Sequence, residues 1–77
     1  MIVEIDIHGL TEQVAIKTLE KFIVSCDKSV TEIVVIHGYR SGNALKEKVR
    51  NSTKLRSNRI RRRRVTMNQG ETILELY

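Results

Sequence analysis

Two short stretches decide the fold: IDIHG at residues 5–9 and VVIHG at residues 34–38. Each is an apolar run, typical of a β-strand, that ends in His-Gly, and the two histidines lie 29 residues apart. That spacing fits a unit of strand, helix and strand in which the two strands are parallel. Because parallel strands in an α/β sheet end at the same edge, the sequence predicts His8 and His37 together where such folds bind ligands.

The flanking patterns supply the remaining elements. Residues 2–7 alternate between apolar and polar side chains, as a strand with one covered face does. Thr11 has the chemistry of a helix N-cap, and an apolar stripe at helical spacing follows it as far as Cys26. Residues 33–36 are apolar on both faces, which is typical of a central strand.

The second half of the chain predicts a helix and a hairpin. The helix is expected over about 43–51, and the two strands of the hairpin over about 60–67 and 72–76. Asn68-Gln69-Gly70 between the strands favours a three-residue turn with Gly70 in the left-handed conformation. The order strand, helix, strand, helix, strand, strand predicts an α/β fold with two helices on a small mixed sheet.

Size and composition set the class of protein. With 77 residues the chain has room for one small domain, over 1–77, and 40% hydrophobic with 30% charged residues is typical of a globular domain. The single cysteine, Cys26, excludes an internal disulfide and fits a reducing compartment. The first six residues carry two acids where a secretory signal has basic residues, and no stretch is apolar enough to span a bilayer. We therefore expect a cytoplasmic protein without a membrane partner.

Positive charge is concentrated towards the end of the chain. The net charge is +5, and residues 54–64 contain seven of the fourteen Lys and Arg and no acid. Such a concentration favours binding to phosphates through counterion release. The alternatives are a solvated edge strand kept charged against aggregation, and an anionic membrane surface.

Strand alternation sorts the arginines of this run by face. Arg61 and Arg63 should point to one side of the sheet, with Val65 and Met67, and Arg62 and Arg64 to the other. If the side that includes Val65 and Met67 is the core side, Arg62 and Arg64 lie on the open face. We therefore expect those two arginines to contact the ligand.

The two His-Gly motifs together resemble a known family. IDIHGL at 5–10 is similar to the Leu-Asp-Leu-His-Gly-Leu signature of the small MutS-related (Smr) domain, and IHGYRSG at 36–42 resembles its His-Gly-x-Gly-x-Gly loop. The resemblance covers nearly the whole chain. It implies a two-layer α/β sandwich with a four-stranded sheet, like the carboxy-terminal domain of translation initiation factor three. It also implies nucleic-acid binding and, in several members, endonuclease activity on RNA or DNA.

Asp6 and His8 are the first candidates for catalysis. Residues two apart on a strand share a face, and a carboxylate there can hold an imidazole in one tautomer and raise its basicity. That arrangement suits general acid–base cleavage of a phosphodiester, with the 2′-hydroxyl of RNA as a nucleophile that requires no cofactor. The alternative is structural: Asp6 caps a turn, and His8 hydrogen-bonds the backbone.

His37 is the third candidate residue. It is predicted to be a second acid–base group or a donor to phosphate, and the alternative is a packed histidine at a strand end. Asp6, His8 and His37 together also have the chemistry to bind a divalent metal ion, although their spacing does not require one.

The loop after His37 is the predicted binding site. It leads into a helix N-terminus, where backbone N–H groups and the helix dipole favour an anion. Arg40 stands where the family loop has its middle glycine, so its guanidinium is expected to meet a phosphate in place of backbone groups. The expected nucleic-acid contacts are Gly38, Tyr39, Arg40, Ser41, Gly42, Lys46, Arg59, Arg62 and Arg64.

Two functions remain open at this point. One is an endonuclease that acts on RNA or DNA. The other is a non-catalytic module that binds RNA, or the ribosome, through the same basic face.

Overall fold

Four strands and two helices follow one another in the predicted order. The computed structural model describes residues 1–38 and 44–77. The elements are β1 (Ile2–Asp6), α1 (Glu12–Ser25), β2 (Glu32–Ile36), α2 (Ala44–Arg50), β3 (Ile60–Val65) and β4 (Glu71–Leu76). In the part of the chain that the structure describes, no helix is both long and apolar enough to cross a membrane.

The strands form one mixed sheet in the order β1-β2-β4-β3. β1 and β2 are parallel, whereas β4 is antiparallel to both of its neighbours. The parallel pairing extends past β1, where Ile7 N donates to Ile36 O at 2.8 Å. His8 and His37 therefore follow neighbouring strands at the same edge of the sheet, as predicted, and the two-layer α/β fold is confirmed.

The core lies between the helices and one face of the sheet. Thr11 caps α1, where its side chain accepts a hydrogen bond from Val14 N. The fully buried apolar residues come from all parts of the fold and are Ile7, Ala15, Leu19, Ile23, Ile33, Val35, Val49, Leu55 and Leu74. The second face of the sheet is not covered by a helix, and we call it the open face. Glu4, Asp6, Val34 and Ile36 lie on it.

A β-bulge in β3 places Arg61 on the side opposite to the predicted one, whereas Arg62 and Arg64 lie on the open face and Arg63 on the helix side, as predicted. The register shifts between Ile60 and Arg62, so that Arg61 and Arg62 both lie beside Glu75 on the open face. A bulge places two residues opposite one, and the alternation restarts after it. Arg63 consequently turns towards the helices, where it donates to the carbonyls of Val49 and Leu55.

The core side of β3 is the predicted one, since Val65 pairs with Thr72 on the helix side of the sheet, but the prediction for the turn was wrong. Val65 and Met67 are 55% and 99% exposed, because neither helix covers that corner of the sheet. Gly70 is not left-handed; the glycines with positive φ in the described ranges are Gly9 and Gly38, at 80° and 73°. The Asn68 side chain holds the turn by accepting from Gly70 N at 2.8 Å.

Candidate active site and nucleic-acid interface

Asp6 and His8 form a hydrogen-bonded pair at the end of β1. Asp6 Oδ1 accepts from His8 Nδ1 at 2.5 Å and from the His8 backbone N at 3.0 Å. A carboxylate can only accept, so Nδ1 carries the proton and Nε2 is the basic nitrogen. The hydrogen bonds from His8 hold the pKa of Asp6 below its usual value, so that Asp6 is ionised at neutral pH. The His8 side chain is 68% exposed, which gives a ligand access to Nε2.

His37, in contrast, is buried among protein partners. It is 3% exposed, its Nδ1 lies 2.8 Å from Gly38 O, and its Nε2 lies 2.9 Å from Thr72 Oγ1. The Thr72 hydroxyl also accepts from Arg50 Nε at 2.8 Å. Because the carbonyl can only accept, Nδ1 carries the proton, and Thr72 donates its own proton to Nε2. These contacts define a chain of hydrogen bonds from Arg50 through Thr72 and His37 to Gly38, which we call the His37 relay.

The relay meets the Asp6–His8 pair at Gly38. A β-carbon built on Gly38 would lie 3.5 Å from the β-carbon of His8, so the two strand ends are in close contact. The backbone N–H groups of His37 and Gly38 both donate to Gly70 O, at 2.9 and 3.0 Å. The relay and these bonds together fix the backbone against which His8 packs.

Burial of His37 makes stability depend on pH in a defined window. Burial lowers the pKa of His37 below its usual 6.5, and the charges of Arg50 and Lys46 lower it further. Between that lowered pKa and about 6.5 the unfolded chain binds a proton that the folded protein does not. The free energy of unfolding is therefore expected to fall as the pH decreases through this window.

Urea unfolding at about pH 7.5, 6.5 and 5.5 measures this effect. The wild-type midpoint should decrease with pH, and His37→Gln, which cannot titrate, should show a smaller decrease. Equal slopes for the two proteins would contradict the assignment to His37. Carboxylates such as Asp6 and Asp27, whose pKa values are lowered by hydrogen bonds, lose their contribution only below about pH 4, outside this range.

Arg59, a predicted nucleic-acid contact, caps α1. Its guanidinium donates to the carbonyls of Ile23, Cys26 and Asp27, with the bonds to Ile23 and Asp27 at 3.3 and 3.2 Å. A cation at the carboxyl end of a helix donates hydrogen bonds to the free carbonyl groups there and interacts favourably with the helix dipole. These bonds already explain the presence of an arginine at this position.

Arg62 and Arg64, the other predicted arginine contacts, bind a buried carboxylate. Glu75 is 5% exposed although it lies on the open face, and its Oε2 accepts from Arg62 at 2.9 Å and from Arg64 at 3.0 Å. Arg61 contacts its other oxygen at 2.6 Å, and Arg64 also reaches Glu32. The hydrogen bond from Arg62 leads the contacts that keep the pKa of Glu75 below its usual value. Part of the charge of the arginine run is therefore neutralised within the sheet.

Two of the remaining predicted contacts, Gly38 and Lys46, lie within the described residues, and four do not. Gly38 is described above. Lys46 lies on α2, close enough to lower the pKa of His37. The predictions for Tyr39, Arg40, Ser41 and Gly42 lie outside the described residues.

Comparison with known proteins identifies the family to which this chain belongs. The family model for the Smr domain matches residues 5–72 of the chain. The chain belongs to the Smr domain family. Among solved structures, the Smr domain of Thermus thermophilus MutS2 superimposes with a TM-score of 0.69 over 96% of each chain, at 18% sequence identity. No curated protein matches closely enough to count as a relative.

The charges of this Smr domain are distributed differently from the sequence prediction. Among residues 1–38 and 44–77, the open face has three basic residues, at positions 61, 62 and 64, and five carboxylates: Glu4, Asp6, Glu32, Glu71 and Glu75. Residues 44–59, which form α2 and the segment after it, have six basic residues and one acid. Among the described residues of this Smr domain, the excess positive charge therefore lies on the helix side of the sheet.

Sequence analysis missed two residues of the Smr site, Arg50 and Thr72. Arg50 falls within the predicted helix and Thr72 within the predicted last strand, and neither was a candidate site residue. Their roles depend on the contact between α2 and β4, for which local sequence gives no signal. The described residues contain no group of three or more His, Cys, Asp or Glu arranged to hold a metal ion.

Proposed function

We propose that this Smr domain binds nucleic acid and cleaves phosphodiester bonds, with the Asp6–His8 pair as its acid–base group. The observation that carries the proposal is the 2.5 Å contact between Asp6 Oδ1 and His8 Nδ1 on an exposed imidazole. A histidine oriented by a carboxylate, with its second nitrogen free for a ligand, is a common device for proton transfer. The family supports the choice of nucleic acid as the ligand.

In the proposed reaction, His8 Nε2 removes a proton from the attacking hydroxyl. With RNA this is the 2′-hydroxyl next to the scissile phosphate; with DNA it is a water molecule. Asp6 stabilises the imidazolium that forms, because its carboxylate remains ionised and accepts a hydrogen bond from Nδ1–H throughout. The proton held by His8 then passes to the leaving oxygen or to solvent, which restores the base.

His37 has a positioning role in this proposal, in place of the acid–base or phosphate-donor role expected from sequence. Both of its ring nitrogens have protein partners within 2.9 Å, and its side chain is buried. The same bonds argue against His37 as a metal ligand in this conformation, since coordination requires a free nitrogen.

End-labelled RNA, single-stranded DNA and double-stranded DNA, each with and without EDTA, test the proposal. We expect the purified domain to cut at least one of them. An Asp6→Asn, His8→Ala double variant, purified in parallel, controls for contaminating nuclease. Cleavage products that end in a 2′,3′-cyclic phosphate would identify the 2′-hydroxyl as nucleophile, and loss of cutting in EDTA would indicate a metal ion.

Binding without cleavage is the outcome that would favour the alternative function. The wild-type domain and the double variant would then bind RNA equally, with strong dependence on salt, and neither would cut it. The domain would in that case be a non-catalytic RNA- or ribosome-binding module, and the Asp6–His8 pair would be structural.

A further inference from the structure

The charges of the open face are divided between its two edges. Glu4 and Asp6 lie on β1, at one edge of the sheet. Arginines 61, 62 and 64 lie on β3, at the opposite edge, with side chains that are 52%, 64% and 42% exposed. The open face therefore has an acidic edge and a basic edge.

One row of residues runs straight across the open face from the acidic edge to the basic edge. The register of the sheet aligns, in this order, Glu4, Val34, Ile73 and Arg64. The row thus reads acid, apolar, apolar, base. Val34 is partly exposed and Glu4 is exposed. Among residues 1–38 and 44–77, no ion pair includes Glu4, so its carboxylate is available to a cation of a partner.

Such a row is complementary to a second copy of itself. A two-fold axis that runs along the strands, between two open faces, places β1 of one copy over β3 of the other and β2 over β4. Glu4 then meets Arg64 at both ends of the row, and Val34 meets Ile73 twice in the middle. A two-fold axis across the strands would place β1 over β1 and arginines over arginines, an arrangement that repulsion between like charges disfavours.

The next row is compatible with the same axis. It aligns Ile2, Glu32, Glu75 and Arg62. Ile2 is 64% exposed and would pack against the aliphatic stem of Arg62 of the other copy. Glu32 and Glu75 would face each other, but both carboxylates are already bound by arginines of their own copy.

The third row lies at the end of the sheet, beside the Asp6–His8 pair. It includes Ile36 and Glu71, which would face each other at the rim of the interface, where water still reaches a carboxylate. Because the axis is parallel to the strands, the Asp6–His8 pairs of both copies would lie at this same end of the assembly.

From this register and this division of charge we infer that the open face binds the open face of a second copy of the chain, as a symmetric dimer with its two-fold axis along the strands. Four strands about 4.8 Å apart give a face only about 15–20 Å wide. An interface of that size is near the lower limit for specific association, so the dimer is weak, with a Kd of about 10–100 µM. The inference goes beyond the proposed function and is independent of it.

Sedimentation equilibrium of the 77-residue chain tests the inference. Between about 5 µM and 1 mM, the average mass should rise from that of one chain towards that of two, and added salt should shift the transition to higher concentration. A chain that is still monomeric at about 1 mM would overturn the inference.

Reversal of one charge tests which residues meet. Glu4→Arg places a base opposite Arg64 at both ends of the row and should raise the Kd at least about tenfold. Glu47→Arg makes the same change of charge at an exposed position of α2, outside the open face, and should alter the Kd less than about twofold. Circular dichroism verifies the fold of both variants. Equal Kd values for the two variants would contradict the proposed interface.

A spin label locates the contact without reversing a charge. Attached to Ile2→Cys in a Cys26→Ala background, the label should broaden most the amide signals of residues 61–64 in a second, ¹⁵N-labelled copy. Strongest broadening in residues 2–6 of that copy would indicate the other two-fold axis and overturn the inference. Shifts of open-face amides that respond to added RNA but not to protein concentration would show that this face binds nucleic acid instead, with the same consequence.

Discussion

Replacing His8 by alanine is expected to lower the rate of phosphodiester cleavage by about 10²- to 10⁴-fold, the usual contribution of one general acid–base group. The variant loses the basic nitrogen that removes the proton from the attacking hydroxyl. It should fold normally, because the His8 side chain is 68% exposed and, within the part of the chain that the structure describes, its hydrogen bonds involve only Asp6. Single-turnover cleavage of a labelled substrate measures the rate, and circular dichroism confirms the fold.

Asp6→Asn should lower the same rate by a smaller factor. The amide oxygen can still accept a hydrogen bond from Nδ1–H, but a neutral amide stabilises the imidazolium less than a carboxylate does.

A matched control comes from the same strand. Glu4→Gln removes one carboxylate from the same face of β1, two residues away from Asp6, and should leave the rate within about twofold because it does not contact His8. If His8→Ala cuts at the wild-type rate, the Asp6–His8 pair is not the acid–base group.

Thr72→Val is expected to reduce the free energy of unfolding by about 2–3 kcal/mol. Thr72 is fully buried, and its hydroxyl joins Arg50 Nε to His37 Nε2. Valine has nearly the same shape but leaves both nitrogen atoms without their partner. For a domain of this size the loss corresponds to a decrease in Tm of about 10–20 °C.

Thr72→Ser distinguishes the contribution of the hydroxyl to stability from that of the methyl group. Serine keeps the hydroxyl and loses one methyl, so its cost should be about 1 kcal/mol. A valine variant as stable as the wild-type protein would show that the hydroxyl contributes nothing to the fold. In the wild-type protein, ¹⁵N shifts should show His37 protonated at Nδ1, and Thr72→Val should change the Nε2 resonance most.

Most of the architecture was predictable from local patterns. Alternation in residues 2–7, the N-cap at Thr11 and the apolar run at 33–36 each depend on neighbours in sequence, and each element formed as expected. The two His-Gly motifs likewise predicted adjacent strand ends, because parallel pairing of β1 and β2 follows from the length of the segment between them. The Asp6–His8 contact was predictable from local sequence as well, because residues two positions apart on a strand have their side chains on the same face.

Contacts between distant elements decided the rest. The bulge in β3 reversed the side on which Arg61 lies, and its pairing with Glu75 of β4 is not visible in a run of arginines. Charge density along the sequence could not show that Glu75 binds three of these arginines.

The sequence alone determined the order of elements, the sheet edge that carries the two histidines, and the Asp6–His8 pair. Only the tertiary structure decided that His37 is buried in a relay with Thr72 and Arg50, and that three arginines of β3 bind Glu75 on the open face. The physical reason is the range of the interactions. Backbone periodicity and capping act over a few residues. The bonds of Thr72 to His37 and Arg50, and those of Glu75 to its three arginines, join residues 11 to 35 positions apart, which only the packed chain brings together.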